Sequence, residues 1–215
     1  MSHINISNLN LSKVALAKMG RNIVLVYPNE QGKKEALQLV TGKMYIPFGV
    51  KHIETNYSQW DNCHIDCSLN QSKSEESVKY QEAIDGLDKR IQELVSNSEL
   101  FDISEENTYF PILKENKTYP KLIKISLPRD SQGNFKPFAF DENKEQIVLT
   151  DSNIDETLSK GSVFASIIEC ARMWQYNGRI GSTWNLVQLK LMPKPVFDDT
   201  KQQNSSSYKE LMIED

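Results

Sequence analysis

Short segments that alternate apolar and polar residues fill most of the chain, and clusters of turn residues separate them. Such alternation predicts β-strands that each turn one face toward a core. Within the segment 37–54, turns are predicted at Thr41-Gly42 and at Phe48-Gly49. The predicted strands are residues 21–30, 37–54, 57–69, 122–127, 145–150, 161–176 and 179–192.

The pattern changes to a helical period between residues 75 and 97. Apolar residues recur there at spacings of three and four, and acidic residues stand at the start, where a helix favours them. The apolar stripe lasts about two and a half heptads, which is short for a coiled coil. It therefore predicts one amphipathic helix that packs on a sheet. The stripe consists of Val78, Ile84, Leu87, Ile91, Leu94 and Val95.

The last two predicted strands meet at Asn177-Gly178, a dipeptide that strongly favours a two-residue hairpin turn. A turn of that length sets the pairing of the two strands. It predicts that Tyr176 lies opposite Arg179 and that Cys170 lies opposite Asn185. The chain therefore closes with a long antiparallel hairpin.

The order of these elements is strands, one helix, more strands and the closing hairpin. It predicts a mainly β fold of the α+β class, an OB-like small β-barrel with one inserted amphipathic helix. A β-sandwich is the next alternative. The chain of 215 residues is long enough for one sizeable core. We expect one domain over residues 1–196 and a flexible, mildly acidic tail over 197–215.

The formal net charge of −4 conceals an alternation along the chain. Residues 75–106 carry three Lys/Arg against ten Asp/Glu, whereas residues 109–138 carry six against two. Residues 159–196 carry five Lys/Arg against one Asp/Glu. The basic blocks coincide with predicted strands, so an acidic protein can still present a positive face, and the local field governs binding. Ordinary solvated surface charges are the alternative interpretation.

The cluster "WDNCHIDCSL" resembles a metal site because Cys63, His64 and Cys67 lie close together. On a strand, however, His64 points away from the two cysteines. The cysteines would also lie roughly 13 Å apart, too far for one metal ion or a disulfide. Buried structural cysteines are therefore expected. The total of three cysteines, an odd number, suits a reducing compartment.

No catalytic arrangement is predicted. The histidines, His3, His52 and His64, have no recognisable serine or cysteine triad setting, and no phosphate-binding loop occurs. We expect no enzymatic activity, no cofactor and no metal. The chain also lacks an apolar run of about 18 residues and a signal peptide, so no membrane association and an intracellular location are expected.

The hairpin segment "MWQYNGRIGSTWNLVQLKLMPKP", residues 173–195, combines aromatic and cationic side chains near a turn. Single-stranded nucleic acid binds to such surfaces because bases stack on rings and phosphates meet cations. Alternatively, the two tryptophans fill the core and Arg179 is a solvated turn residue. A β-bulge near Gly181 would change the face on which Trp184 lies. The candidate binding residues of the hairpin are Arg172, Trp174, Tyr176, Arg179, Trp184 and Lys190.

The stretch "KGSVFASIIECARMWQYNGRIGSTWNLVQLKLMPKP" resembles the C-terminal region of single-stranded DNA-binding proteins encoded by nucleocytoplasmic large DNA viruses. The shared form is a Lys-Gly-Ser entry, a strand, a Trp, a basic glycine turn, a Ser/Thr-Trp pair and a Val-Gln strand. The blocks "MYIPFGVKHIE", "YSQWDNCHIDCSL", "LDKRIQELV" and "TYPKLIKISLP" also resemble that family, in order. The resemblance covers about residues 37–195.

This resemblance implies an OB-fold protein that binds single-stranded DNA without sequence specificity during viral DNA replication, in the cytoplasm or nucleus of an infected host cell. Similar phage replication proteins share the layout, and in them an acidic tail contacts replication proteins. The tail here has few acids, which weakens that expectation, and self-association is left open. By position, the implied binding residues are Trp174, Arg179, Trp184, Lys121 and Lys124, followed by Trp60 and Lys114.

Two alternatives from other functional classes remain at this point. An OB-like protein-interaction or virion protein would form a tight protein complex and bind no nucleic acid. A nuclease would need clustered acidic residues around a metal ion. Salt-sensitive binding of a single-stranded oligonucleotide separates the first alternative from the main interpretation, and metal-dependent cleavage tests the second.

Overall fold

The computed structural model describes residues 3–56, 59–69, 75–102, 108–115 and 120–193. The predicted tail, 197–215, lies outside these residues. Within the described ranges the chain forms fourteen strands and two α-helices, and neither helix is long and apolar enough to cross a membrane. The strands are β1 (Ile4–Asn5), β2 (Ala15–Met19), β3 (Asn22–Pro28), β4 (Lys34–Ala36), β5 (Gln38–Tyr45), β6 (Val50–Ile53), β7 (Asn62–Ser68), β8 (Thr108–Tyr109), β9 (Leu113–Lys114), β10 (Leu122–Leu127), β11 (Phe138–Phe140), β12 (Gln146–Ile147), β13 (Val163–Tyr176) and β14 (Arg179–Leu191); the helices are α1 (Glu75–Ser96) and α2 (Ile154–Thr157).

Five of these strands close into a barrel in the order β5, β7, β10, β14 and β13, and β13 pairs back to β5. All pairings in this ring are antiparallel except that of β10 with β14, which is parallel. The predicted fold class is confirmed: the protein is mainly β, with an OB-like barrel, one main helix and a long C-terminal hairpin. Residues that fill the barrel interior include Leu39, Ile65, Ile125, Phe164, Cys170 and Leu186.

Helix α1 packs against the barrel through its predicted stripe. Ile84, Leu87 and Ile91 are buried, whereas Val78 at the N-terminal end of the stripe is exposed. The ring of Tyr80 lies directly on Gly42 of β5, where a Cβ atom would be only 1.8 Å from the ring. Glycine at this position therefore lets the helix approach the sheet.

The turn predicted at Thr41-Gly42 is wrong, since β5 continues through both residues. Gly42 is there because the helix packs on it, and the local sequence does not reveal that contact. The turn predicted at Phe48-Gly49 is present, and Gly49 adopts the left-handed conformation with φ of 77°. The predicted burial of all three cysteines is also confirmed.

The hairpin has the predicted turn but only part of the predicted register. Tyr176 lies opposite Arg179, as expected. Cys170, in contrast, pairs with Trp184 instead of Asn185, because the register shifts between Cys170 and Arg172 and leaves Ala171 as an extra residue. A β-bulge is thus present at Ala171, ten residues before Gly181, near which the sequence suggests one.

This bulge decides the face on which Trp184 lies. Cys170 points into the barrel, and its cross-strand partner Trp184 points the same way. Trp184 also pairs with the buried Ile125 of β10. The expectation that Trp184 stands exposed near the hairpin tip is therefore wrong, since its exposed fraction is 2 %. A shift of one residue reverses every side chain that follows on a strand.

Candidate nucleic-acid interface

A cleft of about 840 Å³ runs across the outer face of β7, β10 and β14. Its floor is polar because the barrel strands alternate, with apolar side chains inside and polar ones outside. Ser126 of β10 pairs with His64 on one side and with Asn185 on the other. These three side chains therefore form a polar row across the floor of the cleft.

Two tryptophan rings border the cleft, and each lies on a glycine. Trp60 covers Gly133, where a Cβ atom would stand 2.2 Å from the indole. Trp174 covers its cross-strand partner Gly181, where a Cβ atom would stand 2.5 Å from the ring. Phe110 extends the second ring surface, with its centroid 6.2 Å from that of Trp174. Flat, partly exposed rings result on both sides of the polar floor.

Among the cationic side chains that line the same cleft, Lys114, Lys124 and Arg172 form no ion pair with an acidic side chain in the described parts of the chain. Burial, followed by the positive charge of Lys114, lowers the pKa of Lys124. Burial and then Lys124 likewise lower the pKa of His64. The cations of the cleft lining also outnumber its two carboxylates, Asp61 and Asp130, so the cleft has a local excess of positive charge that an anion would relieve.

One wall of the cleft is the strap segment, residues 108–115, which crosses from the hairpin to β10. Strand β8 of the strap pairs with β14, and β9 pairs with β10. Asp88 of α1 accepts hydrogen bonds from the Tyr109 hydroxyl at 2.6 Å and from the Ile112 backbone N–H at 3.0 Å. Burial raises the pKa of Asp88, and these hydrogen bonds oppose the rise. The helix thus holds the segment that places Phe110 and Lys114 at the cleft.

The structure brings six of the ten predicted binding residues to this cleft. Five of them, Trp60, Lys114, Lys124, Arg172 and Trp174, have side chains that are partly or fully exposed. Trp184 belongs to the cleft wall as well, but its ring is buried and its indole N–H donates to the Ser182 hydroxyl at 2.9 Å.

Four predicted residues lie outside the cleft. Tyr176 is at the hairpin tip with 72 % of its surface exposed. Arg179 lies over the Phe110 ring, 5.4 Å from its centroid, so it borders the aromatic end of the cleft. Lys121 is bound to Asp85 of α1 at 3.1 Å. Lys190 is farther along β14, opposite Ala165 and Phe140.

Residues that were not predicted from the sequence also line the cleft, among them His64, Phe110 and Arg129. Phe110 and Arg129 fall within the basic block 109–138, and the charge of that block is the sequence feature that could have pointed to them. The sequence does not reveal the role of Gly133 or Gly181, because each glycine matters through a tryptophan ring that another part of the chain places on it.

A cysteine, a histidine and an aspartate lie in contact in series at one end of the cleft, although the sequence predicts no such arrangement for any histidine. His52 Nδ1 lies 3.5 Å from Cys63 Sγ, and His52 Nε2 lies 3.0 Å from Asp155 Oδ1. Burial nevertheless raises the pKa of Cys63, and its side chain is almost completely covered. A nucleophilic cysteine needs the opposite, an accessible thiolate. Among the described residues no three His, Cys, Asp or Glu side chains are grouped as a metal site requires.

Comparison with known proteins gives low sequence identities. No family model matches the chain, and no curated protein matches it. Among solved structures, the single-stranded DNA-binding protein from bacteriophage Enc34 in complex with ssDNA has a TM-score of 0.46 and 12% identity, and the match covers 83% of this chain and 94% of that chain. For gp2.5, a single-stranded DNA-binding protein encoded by bacteriophage T7, the TM-score is 0.44 and the identity 9%, over 84% of this chain and 100% of that chain. At these values, what this chain binds has to be inferred from its own side chains.

Proposed function

We propose that the protein binds single-stranded DNA without sequence specificity, and that it protects and organises single strands during viral DNA replication. The observation that carries the proposal is the cleft itself. Trp60 and Trp174 offer two separate rings for base stacking, and Lys114, Lys124 and Arg172 line the same cleft as cations without an ion-pair partner in the described parts of the chain. Ring faces accept any base, and cations accept any phosphate, so this combination suits binding without sequence preference.

The position of the cleft supports the same function. OB-folds bind oligonucleotides on the face of their second and third barrel strands, between the loop that joins strands 1 and 2 and the loop that joins strands 4 and 5. Here those strands are β7 and β10, and the second loop is the hairpin that carries Trp174. Trp60 lies in the connection before β7. This support is an analogy at the level of the fold, whereas the side chains supply the chemistry.

The role in viral replication, and the choice of DNA as the ligand, rest on the sequence resemblance to viral single-stranded DNA-binding proteins. The polar floor of His64, Ser126 and Asn185 offers hydrogen-bonding groups to bases that lie between the two rings. In this arrangement Trp184 supports the cleft from the core side and does not stack on a base.

Fluorescence anisotropy of a labelled oligo-dT across a salt series tests the proposal. We expect submicromolar binding at low salt that weakens steeply as salt rises, with quenching of tryptophan fluorescence. Trp60→Ala and Trp174→Ala should each weaken binding on the order of tenfold, since stacking contributes about 1–3 kcal/mol per base. Duplex DNA should compete poorly, because its bases are already stacked, and oligo-rU measures the preference for DNA.

Phe138→Ala is the matched control, because Phe138 is a 56 % exposed aromatic residue on β11, outside the cleft. It should leave the affinity unchanged. Tyr176→Ala then shows whether the site extends to the hairpin tip. If the wild-type protein shows no salt-sensitive oligonucleotide binding, the proposal fails, and an OB-like protein-interaction role takes its place.

A further inference from the structure

Arg129 follows β10 and lines the end of the cleft that contains Trp60. Its Nη1 donates to the carbonyl of Gly133 at 2.7 Å, and Gly133 is the residue that the Trp60 ring covers. The guanidinium also lies over the Phe135 ring, 3.7 Å from its centroid. The loop that supports the Trp60 ring therefore fixes the position of this cation as well.

Asp151 supplies the counter-ion of Arg129. Its two carboxylate oxygens lie 2.5 Å from Nη2 and 3.4 Å from Nη1, so both guanidinium nitrogens face the same anion. The two partners differ in exposure: the Arg129 side chain is 11% exposed and that of Asp151 is 69% exposed. The Nε atom of Arg129 is buried without a hydrogen-bond partner within the described residues. A fixed cation is thus paired with an anion that solvent can reach.

A phosphodiester group can take the place of such a carboxylate. It presents two non-bridging oxygens that match the guanidinium fork in the same bidentate manner. Displacing Asp151 would return a carboxylate that is already 69% exposed to water, and the incoming phosphodiester would keep the buried guanidinium paired. Arg129 can keep its contacts with Gly133 and Phe135 throughout, because Nη1 carries two N–H groups, one for the Gly133 carbonyl and one for the anion, and Phe135 lies against the guanidinium plane.

We propose that Arg129 is a phosphodiester-binding residue of the cleft, and that Asp151 occupies it until the backbone of a bound strand displaces the carboxylate. This inference rests on the proposed single-strand binding and adds one phosphate contact to it, at the Trp60 end. It also gives Asp151 a definite effect. As a competing anion attached to the protein, Asp151 lowers the affinity for every single strand.

Asp151→Asn tests the competition, and Asp155→Asn is its matched control. Both changes remove one negative charge from neighbouring positions, and the Asp155 side chain is 64% exposed and bound to His52 instead of Arg129. Using oligo-dT as the probe, we expect Asp151→Asn to tighten binding about threefold to fivefold, because the exposed carboxylate no longer competes with phosphate. Asp155→Asn should leave the affinity unchanged.

The double variant Arg129→Gln/Asp151→Asn tests the phosphate contact itself. Relative to Asp151→Asn, it should weaken binding and reduce the slope of log K against log salt by about 0.7, the value for one phosphate contact on a single strand. Thermal unfolding confirms that each variant is folded. If this double variant does not fold, the comparison of the two single aspartate variants still decides the question.

Equal effects of Asp151→Asn and Asp155→Asn, which indicate net charge alone, would overturn the inference, and so would weaker binding by Asp151→Asn. An unchanged salt slope in the folded double variant would also overturn it. In all these cases the wild-type protein still binds oligo-dT, and only the role of Arg129 is lost. Absence of wild-type binding instead removes the proposed function, and this inference with it.

Discussion

At the scale of single residues, glycine determines where the partly exposed tryptophan rings of the cleft lie. An indole can approach the backbone this closely only where the residue beneath it has no Cβ atom, and Gly133 and Gly181 meet this condition for Trp60 and Trp174. The rings are thereby held without being covered. A ring that is already fixed loses little conformational freedom when a base stacks on it, and that favours binding.

Gly181→Ala tests this arrangement without removing an aromatic group. The new Cβ atom would displace the Trp174 ring, because the ring atom Cζ2 lies 2.5 Å from the Cβ position. The fold should persist, since the obstruction is the outer part of a side chain. We expect oligo-dT binding to weaken on the order of tenfold, comparable to the loss of one stacking contact.

The control for this variant is Gly20→Ala in the turn between β2 and β3. Gly20 has φ of 60°, and no atom lies within 4 Å of the position that a Cβ atom would take, so the substitution adds backbone strain only. Stability should fall by about 1–2 kcal/mol while the affinity for oligo-dT stays the same. Unchanged binding by Gly181→Ala would mean that the orientation of Trp174 is unimportant.

At the scale of secondary-structure elements, helix α1 reaches the cleft through the strap segment. Asp88 is buried and accepts hydrogen bonds from Tyr109 and Ile112, and the same segment carries Phe110 and Lys114. The helix therefore has two faces with different structural roles. Its apolar stripe completes the core, and its buried carboxylate positions a wall of the cleft.

Asp88→Ala should lower the free energy of unfolding by about 2–4 kcal/mol, because it leaves the Tyr109 hydroxyl and the Ile112 N–H buried without their acceptor. Asp85→Ala is the control on the same helix. Asp85 pairs with Lys121 at the surface, so its removal should cost less than about 1 kcal/mol. Urea denaturation measures both values, and similar losses would contradict the role given to Asp88.

Elements with local signals could be predicted from the sequence, and contacts between distant elements could not. The stripe of α1 and the Asn177-Gly178 turn are encoded in residues that are close together in the chain. The bulge at Ala171, which pairs Trp184 with the buried Cys170, has no such local signal. The parallel pairing of β10 with β14, which closes the barrel, likewise has no local signature.

In the candidate site, too, residues with local sequence signals could be predicted, and residues that depend on contacts between distant elements could not. Trp174 and Arg172 were predicted because rings and cations near a hairpin turn are visible in sequence. Arg129 was missed because its importance comes from Asp151 and from the loop beneath Trp60. Lys121 was predicted to bind, yet its amino group is engaged by Asp85 of the helix, 36 positions earlier. Ion pairing across the fold decides which cations remain available to a ligand.

At the scale of the whole molecule, an acidic protein presents a positive cleft because its charged side chains are unevenly distributed. Several cations are neutralised internally, as in the pairs Lys51–Asp66 and Lys121–Asp85. Of the cleft cations, Arg129 pairs with Asp151, whereas Lys114, Lys124 and Arg172 have no such partner in the described parts of the chain. A net charge of −4 therefore limits non-specific attraction to polyanions, while the local field at the cleft still attracts a phosphate backbone.

Salt dependence distinguishes this local field from overall charge. Phosphate contacts by Arg129 and by the three cleft cations without an ion-pair partner in the described parts of the chain predict a slope of about −3 for log K against log salt, because each contact on a single strand contributes about −0.7. Lys124→Gln should reduce the magnitude of that slope by about 0.7 and weaken binding at low salt. Lys121→Gln removes the same charge from a position three residues away, where Asp85 already holds the amino group. It should change neither quantity, and equal effects of the two variants would show that the cleft does not set the affinity.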